Sequence, residues 1–177
     1  MQGGLQREKQ GSIDKAKRLV VVSNSSVVIA FARICRLDIL QKLFREILVP
    51  EAVWCEITVE GKPGSEKVKR ADFIRAEKIR DKRLASLLKE YVDDGEAEAI
   101  VLALEASADL ILVDDLDARR LAKKLGLQVM GTLGVLALAK YRGLLSEVKP
   151  VVEKLLEKGC WISKRVIERF LRELGEA

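Results

Sequence analysis

The residue types that could do chemistry in this sequence are mostly carboxylates. The 177 residues include no histidine, which excludes Ser-His-Asp and Cys-His catalysis, histidine zinc sites and imidazole acid–base chemistry. Residues 93–117 contain nine acidic residues and no lysine or arginine. Two like charges about 4 Å apart repel by roughly 4 kcal/mol at an effective dielectric constant of 20. A fold that gathers several of these carboxylates therefore needs protons, lysines or a metal cation, whereas a solvated face needs none of them.

An alternation of strands and helices determines where the acidic residues lie. Apolar runs predict four strands, at 18–23, 46–49, 109–113 and 127–130. Helical spacing lies between these runs, so we expect the α/β class, with a mostly parallel sheet of four to five strands and helices on both sides. Cys160–Ile162 is the candidate for a short edge strand, and residues 65–89 are predicted to be helical.

Polar residues follow the predicted strands at one edge of this sheet. Asn24 follows the first strand, Asp114 and Asp115 follow the third, and Thr132 follows the fourth as the predicted N-cap of a helix. Glu98 lies in the first turns of a helix that begins at the same edge. Ligands of parallel α/β sheets bind beyond the carboxyl ends of the strands, and oxygen ligands suit Mg²⁺ or Mn²⁺. The sequence therefore predicts a cation site at this edge.

The length favours a single domain, which we expect at 18–177. Residues 1–17 are predicted to be a disordered basic arm or the remnant of an expression tag. No apolar run reaches the roughly 18 residues of a membrane span, and the first residues do not resemble a secretory signal. Three widely spaced cysteines disfavour a disulfide framework and favour a reducing, cytoplasmic location.

Cysteine and tryptophan residues are expected to have packing roles. Cys35 and Cys55 lie in apolar helical contexts, where a free cysteine is commonly buried. Trp54 and Trp161 are predicted to pack rather than to stack on bases.

Five short motifs, in order along the chain, resemble those of PIN domains. They are Ser23-Asn24-Ser25-Ser26, Pro50-Glu51-Ala52-Val53-Trp54-Cys55-Glu56, Gly95-Glu96-Ala97-Glu98-Ala99-Ile100, Leu112-Val113-Asp114-Asp115 and Gly131-Thr132-Leu133-Gly134-Val135-Leu136. The set is most similar to a subgroup of archaeal and bacterial proteins in the VapC-like ribonuclease and toxin superfamily, and the resemblance extends over residues 18–172.

The resemblance implies a three-layer α/β/α fold and a metal-dependent ribonuclease that uses Mg²⁺ or Mn²⁺. Many similar proteins are toxins of toxin–antitoxin pairs, and many are homodimers. It therefore also implies RNA as a partner, an antitoxin protein and a homodimeric assembly.

The same resemblance implies the site residues. Carried over position by position, the metal ligands are Asn24, Glu56, Glu98 and Asp115. Glu56, Glu98 and Asp115, with Asp114 beside them, are the implied catalytic residues. Glu98 is preferred to Glu96 because Glu96 completes a predicted capping box with Asp93. The choice between Asp115 and Asp117 stays open.

Substrate contacts are predicted near the same edge and on a basic segment. Ser25 or Ser26 can orient the scissile phosphate through a hydroxyl or backbone N–H, and Thr132 is a further candidate. Residues 62–89 contain ten basic and four acidic residues. Lysine and arginine contacts to phosphate dominate nucleic-acid affinity, so this segment either holds the RNA backbone or forms an ordinary solvated face.

Asn24 departs from the PIN pattern, which has an aspartate at this position. An amide offers a neutral carbonyl oxygen in place of a carboxylate, so metal affinity should fall. A natural loss of activity, a variant rescued by Asp114 and a laboratory substitution all stay open. The alternative function is a catalytically impaired PIN-fold module that binds RNA or protein. A third reading, a nuclease of the topoisomerase–primase type using Asp115 and Asp117, lacks the glutamate expected after the first strand.

Overall fold

A five-stranded parallel sheet forms the centre of the molecule. The computed structural model describes residues 19–176, so the predicted basic arm at 1–17 lies outside the described residues. The strands are β1 (Val21–Ser23), β2 (Ile47–Pro50), β3 (Ile74–Glu77), β4 (Leu110–Leu112) and β5 (Val129–Met130). Their order is β3-β2-β1-β4-β5, and every neighbouring pair is parallel.

Ten helices connect and follow the strands within the described residues. They are α1 (Ser25–Arg33), α2 (Leu37–Phe44), α3 (Glu51–Ile57), α4 (Ser65–Lys69), α5 (Lys82–Leu88), α6 (Asp94–Glu105), α7 (Leu116–Lys124), α8 (Thr132–Tyr141), α9 (Lys149–Glu157) and α10 (Lys164–Glu173). None of them is long and apolar enough to span a membrane.

Alternation along the strands separates two buried apolar clusters. Val21 and Leu112 face one cluster, while Val22 and Ile111 face the other, as the two-residue period of a strand requires. Helices α1 to α4 and α8 to α10 pack on the first side, and α5 to α7 pack on the second. The predicted three-layer α/β/α fold with a parallel sheet is thus confirmed.

The basic segment 65–89 is not the continuous helix that the sequence predicts. It forms α4, the edge strand β3 and α5. Ile74 is buried, but Arg75 and Ala76 are exposed, and Arg75 forms ion pairs with Glu46 and Glu77. Charged side chains are common on edge strands because they prevent pairing with other chains. Because of these charged residues, β3 lacks the alternating apolar pattern by which a strand is recognised in a sequence.

Two local predictions at the C-terminal half are also wrong. Cys160–Ile162 has no regular secondary structure and adds no strand to the sheet. Gly131, not Thr132, is the N-cap of α8. Thr132 is the first helical residue, and its hydroxyl is used in a tertiary hydrogen bond described below.

The expected burial of Cys35, Cys55 and Trp161 is wrong. Cys35 and Cys55 are exposed, and Cys160 is half-buried. Cys35 follows α1 in a left-handed conformation with φ of 59°, and Cys55 lies on the outer side of α3. Trp54 packs against the first apolar cluster as predicted, whereas Trp161 is 89% exposed.

The Glu176 carboxylate fastens the C-terminal end of the described chain to α8 and α9. It accepts hydrogen bonds from Lys140 Nζ at 2.5 Å and from the backbone N–H groups of Val148 and Lys149 at 2.7 to 2.9 Å. Burial alone would raise the pKa of Glu176, but these hydrogen bonds outweigh it and lower the pKa. The carboxylate form of Glu176 therefore stabilises the folded state.

Replacing Glu176 by glutamine should lower the free energy of unfolding by about 1 to 3 kcal/mol at pH 7, because charge-assisted bonds are lost. Since the pKa is lowered on folding, this contribution is present above the ordinary pKa of a glutamate and disappears as the pH falls through the lowered value. Urea unfolding at pH 7 and pH 3 measures the difference. The exposed Glu157→Gln on α9 is the control, and equal stability of all three proteins at pH 7 would contradict the assignment.

Candidate active site

The parallel pairing of β1 with β4 places two polar loops side by side. Ser23 is in register with Leu112, and the Asn24 N–H donates to the Leu112 carbonyl at 3.1 Å. The Asn24 side chain is buried at this edge, and its Oδ1 accepts a hydrogen bond from Ser26 Oγ at 2.9 Å. Residue 24 and the Asp114–Asp115 pair therefore follow neighbouring strands at the same edge of the sheet.

Asp114 braces the end of β4 against the start of α8. Its Oδ1 accepts from the Thr132 N–H at 2.7 Å and its Oδ2 accepts from Thr132 Oγ1 at 2.6 Å. A Cβ at Gly131 would lie 2.7 Å from Asp114 Oδ1 and 2.8 Å from Arg119 Nη1, so glycine leaves the room that this contact needs. Asp114 and Thr132 are thus bound to each other, which gives Thr132 a positioning role.

Asp115 is exposed and caps helix α7. Its Oδ1 accepts from the N–H groups of Asp117 and Ala118, both at 2.9 Å, as expected for an N-cap aspartate. No donor among residues 19–176 contacts Asp115 Oδ2 within hydrogen-bond distance. That oxygen is available to a ligand.

Glu96 is the residue at this edge that the sequence argument set aside. The predicted capping box is confirmed: Asp93 Oδ1 accepts from the Glu96 N–H at 2.8 Å, and Glu96 Oε2 accepts from the Asp93 N–H at 3.3 Å. Glu96 is nevertheless only 8% exposed. Burial, together with the neighbouring charges of Asp93, Asp115 and Asp117, raises its pKa to about 7, although the hydrogen bond from the Asp93 N–H lowers it.

No lysine or arginine in the described part of the chain forms an ion pair with Glu96 or Asp115. Of the carboxylates around Glu96, Asp117 is paired with Arg120 at 3.1 Å, whereas the charge of Asp115 is not balanced by an ion pair with any described residue. Capping and ligand binding are compatible roles for Glu96, since capping uses only one of its carboxylate oxygens. The sequence analysis did not select Glu96 as a ligand because its predicted capping role already explained it.

Glu98 points in a different direction. Two residues apart on a helix differ by about 200° around the axis, and Glu98 faces α5 instead of α7. Its Oε1 lies 4.0 Å from Lys89 Nζ, which also lies 3.5 Å from Asp94 Oδ2. Metal binding by Glu98 stays a prediction, and it would require the carboxylate to leave this lysine.

Glu56 lies near the start of α6, on the side of α3. It is exposed, and a Cβ at Gly95 would lie 3.7 Å from its Oε2. Helix α6 begins at the carboxyl edge of the sheet, so Glu56 borders the region that contains Glu96 and Glu98.

A comparison with protein families identifies the chain. The profile of a family described as a PIN domain matches residues 20–176, nearly all of the described structure. The chain belongs to the PIN-domain family. A comparison with curated protein sequences gives no match. PIN domains generally bind divalent metals, and the family is associated with nuclease and RNA-binding functions.

The donor set of this PIN domain fits a divalent ion in kind. Carboxylate and amide oxygens are the ligands that Mg²⁺ and Mn²⁺ prefer, and the unbalanced charge around Glu96 favours a cation there. Within residues 19–176, however, no three acidic or cysteine side chains lie close enough together to form a preassembled metal site. The predicted ligands are therefore not preassembled, and binding an ion would require side-chain movement.

The Glu96→Gln variant of this PIN domain should be more stable than the parent at pH 8 in the presence of a chelator, by about 1 to 3 kcal/mol. The folded pKa of about 7 exceeds the ordinary value of 4.5, so the parent loses stability as the pH rises through this window. Glutamine is neutral and can keep the capping bond.

Urea unfolding at pH 4.5 and pH 8 tests this, with the exposed Glu153→Gln as the control. The gain should shrink towards zero at pH 4.5. A variant that is less stable than the parent at both pH values would show that Glu96 is not held among uncompensated negative charges.

Proposed function

We propose that this PIN domain is an endoribonuclease that depends on Mg²⁺ or Mn²⁺. The observation that supports it most is the position of Glu96, which is buried beside Asp115 with no counter-charge from the described residues. A cation there would offset the repulsion that raises the Glu96 pKa. The ligands we assign are Asp115, Glu56 and a glutamate of α6, with Asn24 as a neutral oxygen donor.

Glu96 is the better candidate for the α6 ligand, because Glu98 already contacts the Lys89 ammonium. Glu98 is the alternative, as the resemblance implies. The two assignments predict different effects of replacing Glu98. If Glu96 is the ligand, replacing Glu98 breaks only an ion pair, whereas if Glu98 is the ligand, its replacement removes a metal ligand.

The protein groups around the site suit the binding of a phosphodiester. The N-terminus of α1, with Ser25 and Ser26, lies beside Asn24, and helix N-termini attract anions through free N–H groups. Ser26 Oγ donates to Asn24, so Ser25 is the hydroxyl that we assign to the substrate. When bound, a divalent ion activates water and neutralises charge on the phosphate.

A groove between α3, α5 and α6 contains three lysines and two glutamates. It has a volume of about 450 Å³, and its charged lining residues are Lys78, Lys82, Lys89, Glu51 and Glu98. Lys78 directly follows β3, so this strand brings a lysine to the carboxyl edge of the sheet. We assign this groove to the binding of the RNA backbone. In this assignment only the C-terminal part of the basic segment 62–89 binds RNA.

The cleavage of a labelled single-stranded RNA should require Mg²⁺ or Mn²⁺ and stop with a chelator. Asp115→Asn and Glu96→Gln should each lower the rate about 100-fold or more, because ion binding supplies several kcal/mol of transition-state stabilisation. Glu98→Gln should have a smaller effect than Glu96→Gln.

The Glu153→Gln variant on α9 serves as the control and should retain the parent rate. A larger loss with Glu98→Gln than with Glu96→Gln would move the α6 ligand to Glu98. Cleavage that persists in chelator, or that survives Asp115→Asn and Glu56→Gln unchanged, would contradict the proposed activity.

The second candidate function is an impaired PIN-fold module that binds RNA or protein. It is favoured by Asn24, which is 3% exposed and engaged by Ser26, where a carboxylate would strengthen cation binding. An antitoxin partner and a homodimer are further proposals that rest on the family resemblance.

Asn24→Asp should raise the affinity for Mn²⁺ about tenfold or more, because a carboxylate replaces a neutral amide oxygen. Isothermal calorimetry measures the affinity, and the RNA assay is run on both proteins. Cleavage by the parent excludes the impaired module. Cleavage only by the variant supports the impaired module, and unchanged Mn²⁺ affinity would show that residue 24 is not a ligand.

A further inference from the structure

Trp161 lies on the surface between α9 and α10. It is 89% exposed, and residues 160–163 have no regular secondary structure. A single exposed apolar residue needs no explanation, so Trp161 by itself carries no function. The arginine residues that follow it on α10 indicate a binding role for Trp161.

Helix α10 presents an arginine stripe next to Trp161. Arg165, Arg169 and Arg172 are exposed, and with Glu168 they line a surface depression of about 330 Å³. Their spacing of four and three residues places them on one face, about 6 Å and 4.5 Å apart along the axis. Arg169 pairs with Glu173 at 2.8 Å, whereas Arg165 and Arg172 form no ion pair with any described residue.

The residue before Trp161 anchors this segment to the fold. Cys160 is half-buried and packs against the first apolar cluster, and its backbone N–H donates to the Leu155 carbonyl at 3.0 Å. Trp161 therefore follows an anchored residue, while its own side chain is exposed.

We propose that Trp161 and the arginine stripe (Arg165, Arg169 and Arg172) form a binding surface for single-stranded nucleic acid. The exposed indole stacks on an unpaired base, and the guanidinium groups contact successive phosphates. Bases in a duplex are already stacked on each other and leave no free face for the indole. This surface therefore distinguishes a single strand from a duplex.

The inference deepens the proposed ribonuclease by specifying the form of its substrate, but the binding can be tested without catalysis. The chain contains two tryptophans, so Trp54→Phe makes Trp161 the single fluorescent reporter. This protein is titrated in chelator with a twelve-nucleotide oligouridylate, with an RNA duplex at equal phosphate concentration, and with polyglutamate.

The oligouridylate should quench the Trp161 emission, with an affinity that falls as salt increases. In the wild-type background, Trp161→Ala should weaken oligouridylate binding about tenfold, measured by anisotropy of a labelled strand. Arg165→Gln and Arg172→Gln should each reduce the salt dependence by roughly the contribution of one phosphate contact. Arg45→Gln, an equal loss of charge at the amino end of β2, should change neither quantity.

Equal quenching by duplex and single strand would overturn the proposal, and so would unchanged affinity of Trp161→Ala. Quenching by polyglutamate instead of the oligouridylate would assign the surface to an acidic protein. Binding of the single strand without metal-dependent cleavage would support this inference and refute the proposed catalysis. Metal-dependent cleavage that Trp161→Ala leaves unchanged, with unchanged strand affinity, would support the proposed catalysis and refute this inference.

Discussion

The parallel pairing of β1 with β4 is the constraint on which the candidate site depends. The two strands are neighbours in the sheet although about 90 residues separate them along the chain. Their register brings Asn24 beside the end of β4, and a backbone hydrogen bond from Asn24 to Leu112 fixes this approach. Asp114 then connects β4 to the start of α8 through Thr132. The polar residues meet because the backbone of the sheet holds them there.

Negative charge accumulates at this edge at a cost in stability. Glu96 is buried close enough to Asp93, Asp115 and Asp117 for their charges to raise its pKa. A structural role alone does not require this arrangement, since a capping box works equally well with glutamine. Perturbed carboxylates gathered in this way are typical of functional sites. A divalent ion would relieve the repulsion, which is why the PIN-type nuclease is the best-supported function.

Two surfaces that carry lysine or arginine lie on different layers of the fold. The groove with Lys78 and Lys82 lies against α5, and the arginine stripe lies on α10, across the sheet from α5. Lys89, which contacts both Asp94 and Glu98, lies where the groove meets the acidic residues.

The sequence by itself determined the class of fold and the edge of the sheet at which the candidate residues lie. Continuous apolar runs such as 109–113 identified buried parallel strands, and the motifs indicated the PIN family that the profile over residues 20–176 shows. The absence of histidine restricted the chemistry to oxygen ligands and metal. These features are local, so periodicity and residue type are sufficient to detect them.

Only the tertiary structure decided which side chains share an environment. Glu96 and Glu98 are equivalent in the sequence, but the turn of α6 directs one towards Asp115 and the other towards Lys89. The edge strand β3 has too many charges to be recognised before its pairing with β2 is seen. Trp161 has a large apolar side chain of the kind usually found in a core. Its exposure follows from where α9 and α10 pack. Such properties depend on neighbours distant in the chain, and local patterns do not encode them.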